Sequence, residues 1–178
     1  MIQLGDAVPW FLPGVAISLG VSLAASGSVS RILGVRRLLA WLIVVGLGLI
    51  LSATLTPHRD ALECGAASPG HCNVSRIAFA SAGEYFAGNE ATGNVLMFIP
   101  LGIMIAILPR SHSKLIALLA AIALPFAIEA TQLLVPVLGR ACESGDVIDN
   151  LLGLAIGQAL GAAPGVIVSR GRLDPQIR

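Results

Sequence analysis

Charged residues are scarce in this chain, and their scarcity excludes most classes of soluble protein. Asp, Glu, Lys and Arg make up 12% of the 178 residues, whereas soluble domains carry roughly a quarter. So small a fraction leaves too little polar surface to cover a globule in water. The net charge of +1 also provides no basic field of the kind that nucleic acids attract, so we expect no nucleic-acid partner.

The start of the chain lacks the features of a removable leader. No basic residue precedes Pro9, whereas a cleaved signal peptide carries a positive region ahead of its apolar core. We therefore expect the first apolar segment to stay in the protein. An internal repeat and a low-complexity tract are also missing, and no room is left for a separate soluble domain.

Long apolar segments are what the chain has in abundance. Apolar residues make up 56% of it and the mean hydropathy is +0.86. A spanning helix needs ~20 such residues. Five segments are close to that length: residues 9–29, 38–56, 94–108, 115–138 and 147–168. The third is short, so it needs residues before Asn94 or a locally thin bilayer. The sequence predicts an all-α integral membrane protein, one transmembrane domain over 1–178 with about five helices and a long loop at 57–93.

The basic residues predict the orientation of this bundle. Eight lie after the first, third and fifth segments: Arg31, Arg36, Arg37, Arg110, Lys114, Arg170, Arg172 and Arg178. The other side holds three: Arg59, Arg76 and Arg140. Because Lys and Arg accumulate in cytoplasmic loops, we expect the amino terminus outside and the carboxyl terminus inside.

Three cysteines fall in the loops assigned to the outside, where disulfides persist. They are Cys64, Cys72 and Cys142. A turn-rich stretch separates the first two and favours a small closed loop. Any of three single bridges is allowed, and each leaves one thiol over. The alternative is that all three are simply small loop residues.

Polar residues collect at one depth of the predicted bundle, in its outer half. They are Asn94, Glu129, Gln132, Arg140, Asp146, Asp149 and Asn150. Spacings of three and four residues put Glu129 on one face with Gln132, and Asp146 on one face with Asn150. Short connections between the last three segments make these groups neighbours in space. Ionisable residues in a membrane are costly and often mark function, so this cluster is the candidate site.

Structural roles are the competing explanation for most of the cluster. Asp146 and Asp149 stand in the first turns of a helix, where carboxylates cap free N–H groups and meet the positive end of the dipole. Asn94 has the position of a helix cap. Arg140 is placed to be the counter-ion of Glu129 or Asp146. Glu129 lies inside an apolar run and has no capping explanation.

Two other segments bear on packing and on the membrane surface. Gly153, Gly157 and Gly161 recur every four residues in the fifth segment, and such a face lets another helix approach closely. The stretch 75–86 in the long loop is weakly amphipathic, and we expect it to lie on the membrane surface.

The polar blocks together resemble the VanZ-like membrane proteins. Asn94 to Gly102 has the family pattern N-x-x-x-F-x-P-x-G, and Glu129 to Gln132 has E-x-x-Q. Arg140 and the stretch Asp146 to Gly153 follow in the family's order. The resemblance covers about residues 40–165 and leaves the first helix and the cysteines outside the family pattern. It implies a bacterial cytoplasmic-membrane protein related to one associated with resistance to the glycopeptide teicoplanin, in a family whose biochemical activity is not established.

Two functions compete for the cluster. In the first, it binds an envelope lipid or lipid-linked cell-wall precursor from the outer leaflet. Arg140 would then hold a phosphate or carboxylate, and three amides would supply neutral hydrogen bonds: Asn94, Gln132 and Asn150. In the second, the protein is an enzyme acting on such a molecule. Glu129 would be the acid or base, with Asp146 and Asp149 as partners or as ligands of a hard metal ion.

Three further alternatives are less well supported by the residues. A Cys142 nucleophile with Arg140 and His71 matches no known spacing. A transporter would need a polar lining in the inner half, which is missing. A structural role, with a second copy of the chain or another membrane protein as partner, is left open. Neither a cofactor nor a metal is identified by any motif.

Overall fold

The computed structural model of the chain describes residues 10–65 and 70–163. Pro9, at the predicted start of the first span, lies outside these ranges. The predicted end of the fifth span, residues 164–168, and the basic residues after it also lie outside them.

Helices make up nearly all the regular structure of the described ranges. In chain order the elements are α1 (Phe11–Leu33), α2 (Arg37–Thr54), α3 (Arg59–Cys64), β1 (Cys72–Asn73), α4 (Ala82–Phe86), α5 (Glu90–Ala106), α6 (His112–Leu134), a 3₁₀ turn (Pro136–Leu138), β2 (Cys142–Glu143) and α7 (Ser144–Ala162). By length and composition α1, α2 and α6 can each cross a membrane, and α5 is a shorter apolar helix. The predicted class, an all-α membrane protein, is confirmed; the number of spans stays a prediction.

Local chemistry explains where the helices begin and end. The Asn89 side chain accepts a hydrogen bond from the Thr92 N–H at 3.2 Å, so α5 begins at Glu90. The expectation that Asn94 caps this helix is therefore wrong, because Asn94 lies in its second turn. Helix α6 ends at Leu134, before the predicted 138, because Pro136 disfavours a helical conformation in the residue that precedes it.

Helices α5 and α7 pack against each other with almost no side chains between them. Three glycines of α7 face backbone carbonyls of α5: Gly153 faces Val95, Gly157 faces Ile99 and Gly161 faces Ile103. From α5, Gly102 meets the Cα atom of Gly157. The close approach is reinforced by Gln158, whose Nε2 donates to the Gly102 carbonyl at 3.0 Å. The glycine face predicted from the four-residue repeat thus lies in this contact.

The apolar side chains divide between a core and an outward face. The core joins four helices through Ile50, Phe98, Leu101, Ile105, Ile128 and Leu154. On α1 and α6 many large apolar residues point away from the protein: Leu12, Ile17, Leu23, Ile116, Leu119 and Phe126. Such a surface is unfavourable in water and favourable against lipid tails, which agrees with the membrane class.

Replacing Gly157 with alanine tests the close approach of α5 and α7. A Cβ at this position would meet the Ile99 carbonyl and the Gly102 Cα atom, so the two helices must separate. We expect Gly157→Ala to lower the free energy of unfolding by about 1–3 kcal/mol, measured by thermal denaturation in detergent. The matched control is Gly20→Ala on α1, where an added Cβ meets nothing within 4 Å. Equal melting temperatures for the two variants would contradict the packing described.

Candidate functional site

Four helix ends meet at one end of the bundle, which we call the polar end. It holds the residues singled out in the sequence: Asn94, Glu129, Gln132, Arg140, Asp146, Asp149 and Asn150. Hydrogen bonds connect its parts, since Gln132 Nε2 donates to the Thr54 carbonyl at the end of α2 at 3.0 Å. The carboxyl ends of α2 and α6 and the amino ends of α5 and α7 therefore lie side by side.

Asp149 is the most enclosed charge of the polar end, with 0% of its surface exposed. Arg76, from the long loop, binds both of its oxygens: Nη1 donates to Oδ1 at 3.1 Å and Nη2 donates to Oδ2 at 2.5 Å. The Tyr85 hydroxyl donates to Oδ1 at 2.7 Å. A buried carboxylate needs such compensation, because leaving it unpaired costs several kcal/mol, on the order of 3–5. The bond to Asp149 is the main reason that the pKa of Arg76 lies above its ordinary value.

The loop residues around this ion pair are arranged to receive it. The Tyr85 oxygen accepts a hydrogen bond from the Ala80 N–H at 3.1 Å, and burial raises the pKa of its hydroxyl. The Arg76 guanidinium lies flat against Gly145, where a Cβ would collide with it. The Ser144 hydroxyl donates to the Arg76 carbonyl at 2.7 Å. The first turn of α7 is thus shaped around Arg76.

A disulfide ties the same loop to the start of α7. Cys72 and Cys142 are joined across 70 residues of sequence, and β1 pairs in parallel with β2 in the register Cys72 to Cys142 and Asn73 to Glu143. Cys64 is free and exposed. The small loop between Cys64 and Cys72, favoured by the turn-rich stretch, is therefore not the one that closes. The bridge fixes the loop to the start of α7 at Cys72, four residues before Arg76 in the sequence.

Glu129 lies at the polar end, and only 5% of its surface is exposed. Its Oε2 accepts a hydrogen bond from the Glu143 N–H at 2.7 Å. No other hydrogen bond of this carboxylate is present among the described residues. One oxygen is thus held in place and the other is left for a further partner.

Two buried amides have an oxygen without a hydrogen-bond partner in the described part of the chain. They are Gln132 Oε1 and Asn150 Oδ1, on side chains that are 5% and 1% exposed. An unmet buried acceptor costs about 1–3 kcal/mol. Because native proteins rarely carry such groups without a reason, they indicate a missing donor at this place.

Arg140 does not form the ion pair predicted from its position. Its Nη2 donates to the Ala53 carbonyl at 2.8 Å and its Nε donates to the Thr56 carbonyl at 3.2 Å. The carboxylates of Glu90 and Asp146 act on Arg140 only through space. Burial lowers the pKa of Arg140 from its ordinary value, and the guanidinium stays charged. The last carbonyls of a helix have no partner within it, so Arg140 binds the end of α2.

Asn94 and Asp146 lie at the edge of the polar end, half-buried. The two side chains lie near each other, which again brings α5 and α7 together at this end. Asp149 is already enclosed by Arg76 and Tyr85, so the predicted pairing of Asp146 with Asp149 around a metal finds no support in this geometry. Among the described residues no three His, Cys, Asp or Glu side chains stand close enough to hold a metal ion.

The partners of Asp149, Arg76 and Tyr85, are not among the residues singled out from the sequence. Arg76 was counted only as a loop charge, and Tyr85 lay in a stretch expected on the membrane surface. Pairings across 73 and 64 residues leave no local periodicity. A buried Asp149 requires a counter-ion, and that requirement could have indicated a basic partner. Arg140 was expected to be a counter-ion only for Glu129 or Asp146.

The sequence was compared with family models, curated proteins and solved structures. The model described as VanZ/LLP1 matches residues 37–163. The chain belongs to the VanZ/LLP1 family. No curated protein and no solved structure matches the chain significantly. The match begins with α2 and ends with α7, so the VanZ region contains the whole polar end and omits α1.

An arginine substitution tests the ion pair of this VanZ-family protein. Arg76→Gln leaves Asp149 buried without a counter-ion, so we expect the free energy of unfolding to fall by about 3 kcal/mol. The double variant Arg76→Gln/Asp149→Asn removes both charges and should recover most of that loss. Arg31→Gln, at an exposed arginine, is the matched control and should change stability by less than about 0.5 kcal/mol. A double variant as unstable as the single one would mean that the two residues are not coupled.

Cysteine substitutions test the role of the disulfide. Cys72→Ser/Cys142→Ser removes the closure of a long loop, so we expect a loss of about 2–4 kcal/mol. Cys64→Ser should have no measurable effect, since this thiol is free and exposed. Maleimide labelling of the unfolded protein should add one label before reduction and three after it. Three labels without reduction would show that the bridge is absent.

Proposed function

We propose that the polar end binds the headgroup of an envelope lipid or of a lipid-linked cell-wall precursor. The unmet acceptors of Gln132 and Asn150 beside the half-used Glu129 carboxylate carry this proposal, because a site that is complete in itself would not leave them unpaired. Family membership supports a VanZ-like membrane protein. A change in how glycopeptides such as teicoplanin meet their target would then follow from the bound molecule.

The site is proposed to face the outer leaflet of the bacterial cytoplasmic membrane. The chain would cross the membrane five times with its amino terminus outside. The excess of Lys and Arg in alternate loops supports this orientation, as does the Cys72–Cys142 bridge at the polar end, since disulfides persist outside the cytoplasm.

The loop beside the site supports a position at the level of the headgroups. Ile77, Phe79 and Phe86 point outward from it, with 81%, 66% and 90% of their surfaces exposed. Arg76 and Tyr85 of the same loop point inward to Asp149. A segment with one apolar and one polar side fits the boundary between lipid tails and water.

Catalysis at Glu129 is the second candidate, and one observation favours it. The Glu143 N–H holds Oε2 at 2.7 Å and leaves Oε1 for a proton transfer, which is the geometry of a general acid or base. Asp146, half-buried nearby, would be its partner. In this reading the bound lipid is a substrate.

Lipid retention by purified protein tests both candidates. We expect the wild type to retain a specific envelope lipid through purification, and Glu129→Gln to retain at least about tenfold less, a loss of one charge-assisted hydrogen bond. Mass spectrometry of the extracted lipids measures this. Glu63→Gln makes the same change at an exposed carboxylate and should leave retention unchanged.

The remaining outcomes separate the alternatives. An enzyme would show the opposite pattern, because Glu129→Gln would accumulate unconverted lipid that the wild type turns over. If neither protein retains a specific lipid while both stay folded, the binding proposal is wrong. A structural or partner-binding role would then explain the family membership.

A further inference from the structure

The donors and acceptors of the polar end are out of balance, and the imbalance bears on which headgroup fits. Gln132 Oε1 and Asn150 Oδ1 are buried acceptors without donors in the described part of the chain. The third acceptor is the free oxygen of Glu129, one helical turn from Gln132 on the same face of α6. Asn150 lies one turn below Asp146 on α7. The unmet groups at this place are therefore oxygens, and the Gln132 amide nitrogen already donates to the Thr54 carbonyl.

The cations of the polar end are already engaged. Arg76 spends both terminal nitrogens on Asp149. Arg140 Nε donates to the Thr56 carbonyl and Nη2 donates to the Ala53 carbonyl. These two nitrogens form one edge of the guanidinium, an edge that could otherwise bind two oxygens of a phosphate. A bidentate arginine clamp is what makes phosphate recognition strong. A phosphate at Arg140 would therefore have to share or replace the bonds of Nε and Nη2 to these carbonyls.

The charged groups that act on Glu129 and Asp146 are themselves carboxylates. Glu129, Glu143 and Asp146 act on one another through space, and Glu90 acts on Asp146 and on Arg140. Two of these carboxylates, Glu90 and Asp146, act on Arg140, whose Nε and Nη2 are bound to backbone carbonyls. Like charges repel a phosphate entering this space, whereas an ammonium group is attracted.

From this balance we propose that the polar end recognises a headgroup rich in hydrogen-bond donors, the hydroxyls of a sugar or a primary ammonium, rather than a phosphate. The inference rests on the proposed function and adds the chemistry of the ligand. Hydroxyl or ammonium hydrogens would pair with the oxygens of Glu129, Gln132 and Asn150. In a lipid-linked precursor, the recognised part would be its sugar or amine and not its phosphate.

Four probe lipids with identical acyl chains test the inference in nanodiscs of phosphatidylcholine. They carry a neutral glycosyl headgroup, a primary ammonium, a trimethylammonium or a phosphate monoester, and retention by the full chain is measured by mass spectrometry. We expect the glycosyl or the primary ammonium lipid to be enriched about tenfold over phosphatidylcholine, the worth of one or two hydrogen bonds. The lipid enriched identifies which donor is used. The phosphate and trimethylammonium lipids should not be enriched.

Two variants connect the enrichment to the unmet acceptors. Asn150→Leu and Gln132→Met keep the side-chain size, and we expect each to lower the enrichment by roughly three- to tenfold. Asn150→Leu should also melt at an equal or higher temperature without probe, because it removes an unpaired acceptor. Ser22→Ala is the matched control, since Ser22 is buried but hydrogen-bonded within α1, and it should behave as the wild type.

Each contrary outcome has its own meaning. Enrichment of the phosphate lipid that is lost in Glu129→Gln would overturn this inference and leave the proposed function standing. Equal enrichment of the two cationic lipids would show attraction by charge alone and would also overturn it. Unchanged enrichment in Asn150→Leu and Gln132→Met would overturn the inference, because water and not the ligand would then meet these acceptors. No enriched lipid at all would sink the proposed function together with the inference.

Discussion

A carboxylate removed from water must be given partners by the protein that buries it, and Asp149 places this demand on the rest of the fold. Arg76 and Tyr85 meet it from a loop that would otherwise lie free of the bundle. Bringing them there requires the loop to run beside the start of α7, where Gly145 leaves space for the guanidinium. The disulfide and the short parallel pairing hold that course. One buried charge thus draws two distant loop residues, Arg76 and Tyr85, to the start of α7.

The close contact of α5 and α7 is the second constraint, and it sets where the site lies. With glycines against backbone carbonyls, the two helices approach so closely that their amino ends stand side by side. Asn94 and Asp146 meet as a consequence. Glu129 and Gln132 at the end of α6 reach the same place through their bonds to Glu143 and Thr54. The glycine contact of α5 with α7 has no reactive group, yet it positions the polar groups of the candidate site.

The membrane class and the family could be predicted from composition and sequence motifs, because both depend on features that are local in the sequence. Membrane class follows from scarce charge, and the family follows from ordered motifs that the family model covers. The polar residues were found because charge in an apolar run is costly wherever it occurs. The sequence could not predict which of several distant residues each cysteine and each charged side chain would contact. Three cysteines allow three bridges, and Arg140 had both carboxylates and helix carbonyls within reach. The helix start at Glu90 was missed because the cap at Asn89 is a polar signal outside the apolar segment.

The bridge between Cys72 and Cys142 orders events during synthesis. Helices α5 and α6 lie between the two cysteines in the chain, so the ribosome must deliver both helices before the second thiol exists to react. Arg76 and Tyr85 are synthesised well before Asp149, so they have no carboxylate partner there until α7 is made. The site is therefore completed only when α7 has been made, and before that Arg76 has no carboxylate partner at Asp149. The finished protein keeps one free thiol, Cys64, whereas the unfinished chain also carries the unbridged thiol of Cys72.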